Sequence, residues 1–240
     1  MIVYGRNAVR EALRGRRAAT VSEVLASDAV AAEPWLSAAP VRRAPAAEIE
    51  RACGSREHQG VCATLGEFPY VGSKELLGAD AFVLALDEVQ DPQNLGALCR
   101  TAECVGVTGV VICERRAATV TPAVCRSSAG AVEHLRIART RNLADFLGDA
   151  KRSGCWCYGA AIDDRALPYD RPDYRGGVVV VLGAEGRGLR TRVAASCDAL
   201  VMLPLRGRVA SLNVSAAGAA LLYQVLQRRS VPLTELHNSG

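Results

Sequence analysis

Nowhere in its 240 residues does the chain carry an apolar run of the roughly 20 residues that a membrane-crossing helix needs. The best candidates, Val178 to Gly183 and Ala216 to Val225, stop well short. Nor does the N-terminus, MIVYGRNAVREALRGRR, hold an apolar core followed by a small-residue cleavage site, so no export signal is read and a soluble, cytosolic protein is expected. A strong excess of one charge is also missing. With 29 basic against 25 acidic side chains the net charge is only +4, which excludes a protein that coats polyanions through bulk charge. Lysine occurs only at Lys74 and Lys151, so positive charge is almost all arginine. That suits phosphate forks, and high-GC coding explains it equally well. Metal-binding spacing is absent too. The 9 cysteines sit mostly in apolar runs, as small buried hydrophobes do. The one tight pair, Cys155-Trp156-Cys157, lacks the two-residue spacer and the second pair of a zinc knuckle, and no metal is expected.

What is present is apolar side chain, 50% of the sequence, enough for two modest cores. Near the N-terminus Val9, Ala12 and Leu13 share one face of a predicted helix, and Val21 to Leu25 reads as a strand. A small α/β module over residues 1–68 follows, locally basic from Arg10 to Arg17. The run FPYVGSKELLGAD has Pro, Gly and Ser without periodicity, which marks residues 69–80 as a linker. From residue 81 to 240 the pattern changes. Nearly all-apolar strands are predicted at Phe82 to Val89, Gly109 to Cys113, Cys155 to Ala161, Val178 to Leu182 and Leu200 to Leu203, with helices at Asn94 to Val105 and Ser211 to Gln227. Continuous rather than alternating apolar runs imply strands buried on both faces, hence an α/β fold with a mostly parallel sheet.

In such a sheet the ligand site lies beyond the carboxyl ends of the strands, so the residues after each apolar run take priority. The first junction runs from Asp87 through Asp91-Pro92-Gln93-Asn94-Leu95-Gly96-Ala97 to Arg100-Thr101-Ala102. Taken locally it is a turn and helix cap, with Arg100 a surface partner of Glu103. The second, Gly183-Ala184-Glu185-Gly186-Arg187-Gly188-Leu189, lets the backbone approach a ligand closely and holds an acid between glycines. Its glycine order fits neither the dinucleotide fingerprint nor a phosphate-cradling loop. Glu185 would repel a triphosphate and suit a hydroxyl-rich or cationic ligand. The third runs from Leu203 through Arg206-Gly207-Arg208 to Ser211-Leu212-Asn213-Val214-Ser215, where Ser211 reads locally as the cap of the last helix.

Taken in order, Asn-Leu-Gly-Ala-x-x-Arg-Thr-Ala at 94–102, Gly-Ala-Glu-Gly-x-Gly-Leu at 183–189 and Ser-Leu-Asn-Val-Ser at 211–215 resemble the three signature motifs of the SpoU/TrmH family, within the SPOUT superfamily. The resemblance covers about Phe82 to Arg228. It implies an S-adenosylmethionine-dependent RNA ribose 2′-O-methyltransferase whose mostly parallel sheet ends in a C-terminal trefoil knot. The small residues Ala210, Ser211 and Ser215 to Gly218 suit close packing of a threaded helix. The segment Ile2 to Leu13, with His58-Gln59-Gly60-Val61, resembles the small N-terminal α/β substrate-binding domain of the 23S rRNA guanosine-2′-O-methyltransferase branch.

Carried onto this sequence, the resemblance places S-adenosylmethionine at Gly183, Leu203, Leu212 and Ala160, and the reacting centre at Asn94, Arg100, Glu185, Ser211 and Asn213. A guanidinium stays protonated, so Arg100 is expected to grip a phosphate or orient the 2′-oxygen through a charge-assisted fork, braced by Asn94. Arg14, Arg16, Arg17, Arg42 and Arg43 are expected to help the N-terminal module hold rRNA, or else to form an ordinary solvated face. The resemblance further implies a homodimer. Three alternatives stay open: a ribose methyltransferase for another rRNA or tRNA nucleotide, including antibiotic-resistance types; a catalytically idle RNA-binding module; and a generic nucleotide-binding enzyme.

Overall fold

A computed structural model describes residues 1–209 and 211–230. The N-terminal module is a four-stranded sheet of order β1-β4-β2-β3, built from β1 (Ile2–Tyr4), β2 (Glu23–Ala26), β3 (Val41–Arg43) and β4 (Val61–Thr64). Helices α1 (Arg6–Ala12), α2 (Asp28–Ala31) and α3 (Ala46–Cys53) connect these strands. Only the β2–β3 pair is parallel.

The rest of the chain forms a seven-stranded sheet of order β7-β6-β5-β10-β8-β11-β9, parallel at every pairing. Its strands are β5 (Phe82–Asp87), β6 (Gly109–Cys113), β7 (Ile137–Thr140), β8 (Trp156–Ala160), β9 (Leu167–Pro168), β10 (Val178–Gly183) and β11 (Ala199–Met202). Its helices are α4 (Pro92–Cys104), α5 (Pro122–Ser127), α6 (Leu143–Arg152), α7 (Thr191–Ser196) and α8 (Val214–Ser230). The all-apolar runs of β5, β6 and β10 are buried on both faces, as crossover helices require. Leu84, Leu86, Val180 and Leu182 pack on one face with Leu95, Leu98 and Leu222 of α4 and α8. Val83, Ala85, Val179 and Val181 pack on the other with Phe146 and Leu147 of α6. Helix α8 sits tightly on α4 and β10, because a Cβ at Gly218 would lie 2.4 Å from Leu98 Cδ2 and 2.8 Å from Leu182 Cδ1.

Residues 69–80 are less like a free linker than their composition implies. Val71 bridges Ala138 beside β7, the Tyr70 hydroxyl accepts the Val120 amide at 2.9 Å, and Leu76 is buried. The module and the parallel sheet therefore share one continuous core, running from Val3 and Val9 to Leu84 and Leu182.

Arg17 stands at this joint, and the expectation that it contacts RNA is corrected here. Its side chain is 1% exposed and forks onto Glu133, with Nε–Oε2 2.9 Å and Nη2–Oε1 2.5 Å, while Nη1 donates to the Gly66 carbonyl at 3.1 Å. A buried guanidinium with a full set of internal acceptors has nothing to offer a phosphate. Arg16 is exposed but also reaches across the joint, donating to the Leu135 carbonyl at 3.1 Å.

Candidate active site

Beyond the carboxyl ends of β5, β10 and β11 the three motif loops meet. The loop after β10 is tied to β5 by Asp87, which is 1% exposed and accepts from the Arg190 amide and from its Nε, both at 2.8 Å. The bond to Asp87 pushes the Arg190 guanidinium pKa further up. Glu88 takes a left-handed backbone, φ 57, and turns its buried carboxylate to Arg190 Nη1 at 3.2 Å. Helix α4 then starts with Asp91 capping Gln93 at 2.9 Å and Pro92 in its first turn.

Asn213 joins the loops to one another. Its Nδ2 donates to Asn94 Oδ1 at 3.0 Å and to Glu185 Oε1 at 2.5 Å, so one amide bridges the α4 start and the glycine loop. Its Oδ1 accepts from the Ser215 amide at 2.8 Å and the Ala216 amide at 3.3 Å, which makes Asn213 the cap of α8. Two local expectations change accordingly. Ser211 is exposed and does not cap α8, which begins only at Val214. Asn94 does not brace Arg100: it is buried against Asn213, whereas Arg100, six residues on, lies about 240° around the helix and is exposed. Arg100 makes no hydrogen bond or ion pair among the described residues, which leaves all its donors available.

The residues expected to hold the cofactor end neighbouring strands. Gly183 closes β10, Ala160 closes β8 and Leu203 follows β11, and these strands are adjacent in the sheet. At Gly183 a Cβ would sit 2.1 Å from the Gly188 carbonyl carbon, because the glycine loop folds back so that the Gly188 amide donates to the Ala184 carbonyl at 2.9 Å. Leu212, 47% exposed, joins Ile162, Leu205 and Val209 as large apolar side chains left open on the loops after β8 and β11. A cavity of about 260 Å³ between the loops is lined by Glu88, Asp91, Asn94, Glu185, Arg187 and Val214. With Glu88 already paired to Arg190, the two carboxylates of Asp91 and Glu185 face the one guanidinium of Arg187, a balance that suits a cationic ligand.

The chain matches the SpoU rRNA Methylase family over residues 81–223, and the RNA 2′-O ribose methyltransferase substrate-binding family over residues 2–71. It belongs to the SpoU methylase family. Among its relatives, a 23S rRNA (guanosine-2′-O-)-methyltransferase, RlmB, of Xanthomonas campestris is 40% identical over 195 residues, covering 79% of this chain and 78% of the relative. A Bacillus subtilis protein assigned to the TrmH family of tRNA/rRNA methyltransferases is 39% identical over 184 residues, covering 72% of each chain. The AdoMet-bound rRNA methyltransferase of Sinorhizobium meliloti superposes with a TM-score of 0.77 at 25% identity, over 94% of this chain and 86% of that one.

In this SpoU methylase the motif residues thus split into a bonded cluster (Asn94, Glu185, Asn213) and an open cation (Arg100). The Asp87–Arg190 clamp is the feature that motif reading passed over. Its signal was an acid closing an all-apolar strand, since a carboxylate buried there needs a cation nearby. The five N-terminal arginines do not form one patch. Arg14 lies 3.9 Å from Glu11 at the joint, while Arg42, bonded to Glu23 and Glu48 at 2.7 Å each, and Arg43, 3.3 Å from Asp28, sit on the opposite edge strand β3.

Proposed function

We propose that this SpoU methylase transfers a methyl group from S-adenosylmethionine to a ribose 2′-hydroxyl of RNA, a guanosine in a loop of 23S rRNA being the substrate. The observation that carries the reading is the Asn94–Asn213–Glu185 cluster, which unites the three motifs around a carboxylate-lined cavity, with Arg100 exposed farther along the same helix α4. The name carried by the Xanthomonas relative supports the nucleotide. When bound at Gly183, Ala160, Leu203 and Leu212, the cofactor supplies a methyl carbon activated by a cationic sulfur.

The protein's own residues do the positioning. Arg100 holds the phosphate or the 2′-oxygen through charge-assisted bonds and does not take the proton, which a guanidinium cannot accept; the proton leaves to water. Glu185 has one oxygen on Asn213 and keeps the other for a ribose hydroxyl. Alignment of this kind accounts for much of the acceleration in a displacement whose leaving group needs no proton.

Arg14, Arg16, Arg42 and Arg43 remain candidate phosphate contacts on the module surface. A homodimer, a cytosolic location and a knotted C-terminus complete the proposal. The last turn of α8 supports the knot, being tied to distant segments by Arg228, which donates to the Asp170 carbonyl at 2.8 Å, and by Arg229, which donates to the Gly176 carbonyl and to the Asp80 carbonyl at 2.9 Å. No helix among the described residues is long and apolar enough to cross a membrane.

The test is tritiated methyl transfer from S-adenosylmethionine to unmodified 23S rRNA fragments, with the modified nucleotide mapped and Arg100→Ala as control. A ribose-methylated guanosine, lost in the variant, is expected. Transfer to tRNA, which the name of the Bacillus relative also covers, would replace the substrate. A folded protein that binds the cofactor and transfers nothing would overturn the activity.

A further inference from the structure

A second cleft opens where the N-terminal module meets the parallel-sheet domain. It has a volume of about 370 Å³, within the size range of small-ligand sites, and Tyr4, Asn7, Gln59, Gln93 and Arg126 line it. Its walls come from both units: β1, the start of α1 and the turn before β4 on one side, the first turn of α4 and α5 with the residues just after it on the other. The two sequence segments that mark the substrate-binding module, Ile2 to Leu13 and His58 to Val61, converge on it.

The backbone around this cleft is held in conformations that side chains avoid. Gln59 at φ 54 and Ala129 at φ 53 are two of the four non-glycine residues in left-handed geometry among the described residues, and both line the cleft. Gly5 stands beside them at φ 92, where a Cβ would lie 3.0 Å from Arg126 Nη1 and 3.3 Å from Gln59 Oε1. Such conformations persist where the surrounding structure over-determines them, and they cluster at ligand clamps.

The side chains define what would enter. Arg126 has two partners: its Nε donates to Glu57 at 2.9 Å and its guanidinium carbon lies 5.8 Å from the centre of the Tyr4 ring. A guanidinium plane backed by an aromatic ring is a stacking platform for a base. Around it stand three carboxamides, Asn7, Gln59 and Gln93, each offering a donor and an acceptor of the kind that reads base edges. Gln59 Oε1 accepts the Arg6 amide at 3.0 Å, which orients its NH2 group.

The cleft and the reacting centre share a wall. Gln93 faces the cleft, and Arg100, seven residues on, lies on the same face of α4 about 10 Å away along the axis. Asn94 faces the carboxylate-lined cavity on the other side. A polymer whose target ribose sits at Arg100 would bring a neighbouring nucleotide into the cleft.

We propose that this cleft is a specificity pocket that takes one unstacked nucleotide flanking the methylated one, its base stacked on Arg126 and its edge bonded to Gln59 and Gln93; the inference rests on the RNA-methylating reading above. The test uses the full chain with Gln59→Gly and Gln93→Ala. Alanine suits the first turn of a helix, so Gln93→Ala is expected to leave the melting temperature unchanged, whereas Gln59→Gly suits the left-handed φ but gives up the bond to the Arg6 amide and is expected to lower it by no more than about 2–4 °C. For each variant the dissociation constant of a fluorescein-labelled 23S rRNA fragment, read by anisotropy, is expected to rise about tenfold, the scale of one lost amide–base contact. S-adenosylmethionine affinity should stay unchanged and the loss should appear in KM for RNA rather than in kcat. RNA affinity unchanged within about twofold in both variants would overturn the pocket, as would a loss that only follows a fall in melting temperature. Unsubstituted protein that binds the fragment through these residues yet transfers no methyl would refute the activity and uphold the pocket. Methylation and RNA binding that are equal in all three proteins would refute the pocket alone.

Discussion

Asn213 offers the sharpest perturbation of the site, because one side chain there does two separable things. Its carbonyl oxygen caps α8 and its NH2 group ties Asn94 to Glu185. Asn213→Ala removes both. Loss of the cap costs about 1 kcal/mol. Loss of the two bonds, one to a carboxylate and one to a buried amide left unsatisfied, costs about 2 kcal/mol after discounting for exposure. A total near 3 kcal/mol should lower the melting temperature by about 6–12 °C in a chain of this size. Asn213→Ser keeps a cap and should lose only about 2 kcal/mol. Asn213→Asp also keeps the cap but sets a second carboxylate against Glu185, adding about 1 kcal/mol of repulsion at ~3 Å in a water-like surround.

That repulsion raises the folded-state pKa of the introduced pair above its unfolded value. The pair is therefore least harmful when protonated at low pH, and the deficit grows as pH rises through the folded pKa. All three variants should lose about 100-fold in kcat/KM for RNA because the loops lose their mutual alignment. Only Asn213→Asp should recover, relative to the unsubstituted protein, between pH 8 and pH 5. Urea melts and methyl-transfer assays across that range read both effects. Asn213→Asp with full activity at pH 8, or a deficit that does not change with pH, would refute the bridging role.

Three further outcomes follow from the geometry. Arg17→Met leaves Glu133 buried without its partner and should cost about 3–5 kcal/mol in urea unfolding, while the double change Arg17→Met with Glu133→Leu should recover most of it; a single-variant loss under about 1 kcal/mol would show that the joint is held otherwise. Gly183→Ala drives a Cβ into the Gly188 backbone, so calorimetry should find S-adenosylmethionine binding abolished or the β10 loop displaced, and unaltered binding would remove Gly183 from the cofactor site. Burial pushes the Cys99 and Cys125 thiols up to about 12, leaving about one thiolate in 10⁴ at pH 8. A thiol reagent should then label exposed Cys104 first and reach those two only on unfolding.

Much of this architecture is legible in the linear chain because its strands are runs rather than patterns. Four consecutive valines at 178–181 imply burial on both faces, and the structure puts them at the centre of the parallel sheet. The strand Ile137–Thr140 escaped that criterion: as an edge strand it buries only Ile137 and Ala138 and exposes Arg139. The three motif loops were legible for the related reason that a parallel sheet gathers its functional residues after its strands.

What the chain alone determined, then, is which segments are buried on both sides and which loops must meet, since burial depends on local composition. Which atoms pair was decided by the tertiary structure. Asn213 finds Asn94 119 positions away and Arg17 finds Glu133 116 positions away, and nothing in the neighbourhood of Arg17 distinguishes it from the solvent-facing Arg14 and Arg16. A buried charge and an exposed one have the same covalent structure. Only the fold, by removing water from one and not the other, makes Arg17 a joint and leaves Arg100 free to meet a substrate.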